Sequence, residues 1–123
     1  HVYNALRTGG LFIFDIHNIY YAENSLTNRT YADVTDEVAY IWQCHQGQAA
    51  GEMFHEMHFF TKTSDDLYTH FVEEHHQRTF PVQTYETLLK ECTFSQITVV
   101  SDFQLNSPFA EKYSERNFII AQK

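Results

Sequence analysis

An α/β fold is predicted for these 123 residues by three features of the sequence. A glycine pair, Gly9 and Gly10, stops a short helical stretch and leads into the apolar run Leu11, Phe12, Ile13, Phe14, which breaks into the polar cluster Asp15, His17 and Asn18. Three strand-length runs with hairpin-sized gaps fill the middle of the chain. A helical pattern followed by two more strands closes it.

The composition supports one compact unit. Forty-three per cent of the residues are hydrophobic, and 11 Phe, 8 Tyr and one Trp supply large side chains for a core. Acidic residues outnumber basic ones by 16 to 8, giving a formal net charge of −8, and the basic residues are scattered. A phosphate backbone needs a clustered cationic face, so nucleic acid is not an expected partner. Cys44 and Cys92 form neither a CxxC nor a dense framework and read as small core residues. No apolar run reaches the length of a membrane span and no signal-like segment opens the chain, so no membrane association and a reducing, cytoplasmic setting are expected.

Each element has its own warrant. In HVYNALRT, Val2 and Leu6 lie four apart with Tyr3 and Ala5 beside them, as in the last turns of a helix stopped at Gly9. So short a helix without an N-cap cannot stand alone, and an upstream half is expected to be missing. Residues 11 to 16 are nearly all apolar, as in a strand covered on both faces in a parallel sheet. Ligands of open α/β sheets sit beyond the carboxyl ends of strands, where Asp15, His17, Asn18 and Tyr20 fall.

From residue 37 to residue 80, EVAYIWQCHQ, GEMFHEMHFFTKT and LYTHFVEEHHQRTF predict a three-stranded antiparallel meander. Its turns lie near residues 47 to 51 and 64 to 66, and one face is expected to meet a ligand or partner. After Pro81, the residues Val82, Tyr85, Leu88, Leu89 and Cys92 follow helical spacing, with Thr84 a candidate N-cap and Thr87 three residues on. FSQITVVSDF reads as a strand, a loop with Asn106, Ser107 and Pro108 follows, and RNFIIAQK is the last strand.

LRTGGLFIFDI resembles the segment of class I S-adenosylmethionine-dependent methyltransferases in which the last helix before the fifth strand ends in a glycine pair. EEHHQRTFPVQTYETLLKECTFSQITVVSDF is similar to that family's closing half, with an Arg and an aromatic before a short helix and then the sixth strand, and RNFIIAQK resembles its antiparallel seventh strand. The resemblance implies the C-terminal part of a Rossmann-like methyltransferase sheet with an inserted three-stranded antiparallel meander. Residues 1–35 would hold the last helix and fifth strand, 36–80 the insertion, and 81–123 the helix and last two strands. Thr93 stands where the family has Gly, so the helix must stop without the residue that most easily turns left-handed. No G-x-G-x-G loop and no acidic residue closing a second strand occur here. The resemblance therefore implies S-adenosylmethionine as cofactor of the full-length protein and none for this fragment, which would be inactive alone.

Methyl transfer from a sulfonium needs alignment more than catalytic groups. The resemblance implies a small-molecule substrate, with candidates Asp15, His17, Asn18 and Tyr20 beyond the strand and Trp42, Glu73, His75 and Arg78 on the meander. His17 is the candidate base or a loop residue bonded to backbone; Asp15 is a ligand or a helix cap. Trp42 is core, pocket wall or stacking platform, and Arg78 a ligand or a partner for a neighbouring glutamate. Alternation puts Phe71, Glu73, His75 and Gln77 on one face and His70, Val72, Glu74, His76 and Arg78 on the other.

Eight histidines raise the alternative of a small metal-binding β-rich domain. His55 and His58, three apart on a strand, point to opposite faces, leaving Glu56 with His58 or His55 with His75 on a shared one. A third alternative is a non-enzymatic dimerisation module. In the half-domain reading one edge of LFIFDI is bare and its apolar faces lose their covering helices, so self-association through that edge or the meander is expected.

Overall fold

The last strand organises the first of two units. A computed structural model describes residues 1–64, 66–102, 104 and 112–123; the predicted loop at Asn106, Ser107 and Pro108 lies outside the described residues. The first unit comprises His1–Ala22 and Thr79–Lys123, the second Glu23–Arg78. In the first, β7 (Arg116–Gln122) lies between β1 (Leu11–His17) and β6 (Ser95–Ser101) and is antiparallel to both. Its Asn117, Ile119 and Ala121 are buried, as a strand with neighbours on both edges requires. Ile119 and Ala121 pack with Leu89 and Phe94, and Phe12, Phe14, Tyr85 and Val99 close around them.

β1 departs from the expected parallel, doubly covered strand. It pairs with the antiparallel β7, and only its Phe12, Phe14 and Ile16 face turns to the core. Leu11 and Ile13, on the other face, are 53% and 58% exposed. The opening helix is also shorter than predicted: α1 is Val2–Ala5 and ends at the extended Leu6, three residues before Gly9. Four residues cannot hold a helix against competing bonds, and here Lys123 Nζ takes the Leu6 carbonyl while the Gly9 N–H bonds the Lys123 carbonyl. Gly9 still makes the turn, at φ +77°.

The later helix, α3 (Val82–Glu91), starts at Pro81 as N-cap, not at Thr84. The Thr84 N–H bonds the Pro81 carbonyl, and Thr87 Oγ1 donates back to Gln83, so neither threonine caps. Pro supplies a helix-compatible φ without a donor that would be orphaned there. Cys44 is buried as predicted, whereas Cys92 is exposed because it lies at the C-cap, past the last turn that faces the core.

Thr93 takes the conformation of the missing glycine, with φ +68°. Its N–H bonds the Lys90 carbonyl and the Phe94 N–H bonds the Leu89 carbonyl, the two bonds of a Schellman motif. Phe94 packs on Leu89 within the core cluster, which is that motif's hydrophobic contact. The cap therefore forms against the cost of a β-branched residue at positive φ.

The second unit is one antiparallel sheet of four strands, β2 (Arg29–Val34), β3 (Val38–Gln46), β4 (Glu52–Ser64) and β5 (Leu67–Arg78), in chain order. The predicted three-stranded meander is thus β3 to β5, extended by β2. RTYADV lacks the apolar alternation of a half-buried strand, because β2 is an edge on which Tyr31 alone is partly covered. It is held by register with β3 and by a turn in which Thr35 Oγ1 accepts from the N–H groups of Glu37 and Val38.

Replacing Thr93→Gly should raise stability by about 1 kcal/mol, the lower end of the cost of a left-handed non-glycine residue. Urea unfolding checks this; an unchanged or lower midpoint contradicts the strained cap.

Candidate functional site

The register of the second sheet sorts its polar residues into two faces. Trp42 lies opposite Met57, which lies opposite Glu73; Cys44 lies opposite His55, which lies opposite His75. Directly opposed residues share a face, so Trp42, Glu73 and His75, chosen from sequence, stand together. Arg78 belongs to the other face, where its Nε donates to the Ala50 carbonyl at 3.1 Å.

The group that binds this face together is His55, which sequence reasoning weighed only as a metal ligand. It is 6% exposed; the buried Cys44 lies directly opposite it on β3, and the buried Met53, two residues before it on β4, shares its face. The Trp42 indole N–H donates to His55 Nδ1 at 3.0 Å, and Tyr31 stacks on Trp42 with ring centroids 4.7 Å apart. An indole nitrogen can only donate. His55 Nδ1 must therefore carry a lone pair, and the neutral ring bears its proton on Nε2. Burial is the main cause holding the His55 imidazole below the ordinary histidine value; the Gln77 side chain opposes it and nearby His75 adds to it. The result is a buried neutral imidazole with a fixed tautomer. His75 itself meets Glu73, Nε2 to Oε2 at 3.3 Å, at the more exposed end of the face.

At the end of β1 in the first unit, the predicted cluster is mostly tied into the fold. Asp15 pairs with Arg116 across the β1–β7 register. Asn18, buried, caps the short helix α2 (Ile19–Tyr21): its Oδ1 accepts from the N–H groups of Tyr20 and Tyr21, and its Nδ2 donates to Ser114 Oγ at 3.0 Å. The cap role considered for Asp15 thus falls to Asn18. The His17 carbonyl accepts from Thr79 Oγ1 at 2.6 Å, fixing the residue where the strand ends, and Tyr20 is exposed.

As expected from alternation, His55 and His58 face opposite ways, and Glu56 meets His58 at 2.7 Å. Among the described residues no three His, Cys, Asp or Glu side chains converge as metal ligands. No helix is long and apolar enough to cross a membrane among those residues.

No family model matches the chain. A Bacillus subtilis protein with the provisional methyltransferase name YqeM is 38% identical over 122 residues, which are 99% of this chain and 48% of that protein. A solved S-adenosylmethionine-dependent methyltransferase from Clostridium acetobutylicum is 28% identical with a TM-score of 0.84, covering 98% of this chain and 47% of that one. Over nearly its whole length the chain is similar to these methyltransferases and shares their fold. The methyltransferase fold extends to more distant structures. The sugar N-methyltransferase KedS8 of Streptoalloteichus aligns at 16% identity with a TM-score of 0.70, over 98% of this chain and 45% of that one. The chain spans about half the length of the curated relatives it matches. In the first unit the antiparallel β7 lies between β1 and β6.

The His55 ring gives a pH prediction. A base whose folded pKa is depressed binds fewer protons folded than unfolded. Its stabilising contribution is full above the unfolded value of about 6.5 and is lost as pH falls toward and through the folded value. Ring nitrogen NMR should show His55 with an unprotonated Nδ1 and a titration midpoint below 6.5; a midpoint at or above that value contradicts the assignment. Trp42→Phe should cost about 1–3 kcal/mol, because it leaves a buried ring nitrogen without its donor.

Proposed function

We propose that the chain is the substrate-side half of an S-adenosylmethionine-dependent methyltransferase acting on a small molecule, and that it is inactive without an upstream half. The observation that carries this reading is the Trp42–His55 pair on the sheet face that also bears Glu73 and His75. A buried imidazole with one fixed tautomer is an orienting group, and an aromatic pair beside it is a wall against which a small acceptor can be held.

The glycine-rich loop that the resemblance gives to the cofactor cradle is not in this sequence. Gly9 and Gly10 enter β1, Gly47 and Gly51 belong to the turn between β3 and β4, and no G-x-G-x-G loop joins a strand to a helix. When bound, the cofactor brings an electrophilic methyl group, and the transfer is an in-line displacement. This chain's part is to hold the acceptor and receive its proton. Neutral His55, its Nε2 buried, braces the Trp42 ring on which Tyr31 stacks. Glu73 and His75 provide charge for an amine or hydroxyl. In the first unit, taken by itself, His17 at the end of β1 is the proposed proton acceptor and Tyr20 a proposed substrate contact, while Asp15 is paired with Arg116 and Asn18 caps α2.

The same reading makes the chain self-associating in the cytoplasm. β1 is an edge of its sheet with Leu11 and Ile13 exposed, and β5 is an exposed edge of the other. Apolar edges of this kind seek partners. Sedimentation at high micromolar concentration should show dimers or larger species; a clean monomer overturns this part.

The substrate-side assignment is tested in a form extended upstream to the length of the curated relatives, with label transfer from S-adenosylmethionine to a small-molecule panel. His55→Ala and His17→Gln should each lower transfer at least tenfold while leaving S-adenosylhomocysteine affinity within twofold. Equal loss of cofactor affinity, or full activity, contradicts it.

A further inference from the structure

The opposite face of the second sheet carries a cluster that methyl transfer does not use. His58 on β4 lies opposite Val72, and His70 on β5 lies opposite Phe60, so the two histidines are diagonal neighbours on one face. Their rings are parallel within 3°, and His58 Nδ1 is 2.9 Å from His70 Nε2. Behind them, His58 Nε2 meets Glu56 Oε1 at 2.7 Å. Phe60 stacks on the His70 ring, centroids 4.7 Å apart, and limits its swing.

These contacts fix the protons. A carboxylate only accepts, so His58 keeps its proton on Nε2 and presents the Nδ1 lone pair. A carboxylate behind a histidine whose other nitrogen is free is the arrangement found behind metal-bound histidines, where it sets the tautomer and raises basicity. The neighbouring His70 Nε2 now donates to that lone pair. If the His70 proton moves to its own Nδ1, both facing nitrogens carry lone pairs, and no proton leaves the site.

We propose that His58 Nδ1 and His70 Nε2 form a two-imidazole site for a borderline divalent transition ion such as zinc or nickel, with Glu56 orienting His58 and water completing the coordination. Metal–nitrogen bonds of about 2.0–2.1 Å at a tetrahedral angle place two ligand nitrogens about 3.3 Å apart, so the pair separates by only a few tenths of an ångström while the rings turn to aim both lone pairs at the ion. Imidazole ligands favour zinc, nickel and copper over magnesium or calcium. The site lies wholly in the second unit and does not depend on the methyltransferase reading.

Calorimetric titration of zinc chloride, nickel chloride and magnesium chloride into the full chain tests it. Zinc and nickel should bind one to one and magnesium should not. His58→Ala and His70→Ala should each weaken zinc at least tenfold, and Glu56→Gln about tenfold. His76→Ala, on the same face but engaged with Glu52, should stay within twofold of the parent. In ring nitrogen NMR, which does not require any variant to fold, zinc should shift His58 Nδ1 and His70 Nε2. Absence of zinc binding, binding that survives both histidine replacements, or zinc shifts confined to other histidines overturns the proposal.

Discussion

Hydrogen bonding of β7 along both of its edges is the constraint on which the first unit depends. β1 and β6 do not pair with each other; each is held by β7, from opposite sides and in antiparallel register. The core follows from this, since Ile119 and Ala121 are the buried positions onto which α3 brings Leu89 and the Schellman cap brings Phe94. The polar end of the strand is fixed by the same element: Arg116 ties Asp15, and Asn117 Oδ1 accepts from Ser114 Oγ, whose oxygen in turn accepts from Asn18. The polar end of β1 therefore rests on a strand that comes last in the sequence.

The second sheet has a different logic. Its two faces differ in what they do with histidine. On one, His55 is buried and neutral, held by an indole donor that no protonated imidazole could accept from. On the other, His58, His70 and His76 remain open enough to pair with carboxylates and with one another. A period-two backbone makes this division possible within a few residues. Around His55 the face is built of Met53, Cys44 and Trp42, whereas on the opposite face the histidine nitrogens meet carboxylates and one another.

Much of this was legible in the sequence because it rests on patterns that local chemistry imposes. The Gly pair and apolar run located β1, helical spacing located α3, and alternation separated His55 from His58 and grouped Trp42, Glu73 and His75 once register was known. What escaped did so for physical reasons. β2 is a polar edge strand and carries no hydrophobic period. α1 stops at Leu6, whose carbonyl is taken by Lys123, 117 positions away. Thr93 concealed a left-handed cap that its β-branched side chain argues against, and Leu89 with Phe94 supplied the packing that overrode the local preference. His55 gave no local signal, since its burial is decided by β3, a strand away.

The central proposal is that this chain supplies the substrate side of a methyltransferase whose cofactor-binding residues belong to a longer form of the protein. The most direct measurement is calorimetric titration of S-adenosylhomocysteine into this chain and into a form extended upstream to the length of its relatives. Binding to the extended form and none to the chain alone is the expected result. Failure of the extended form to bind, or equal binding by both, would contradict it.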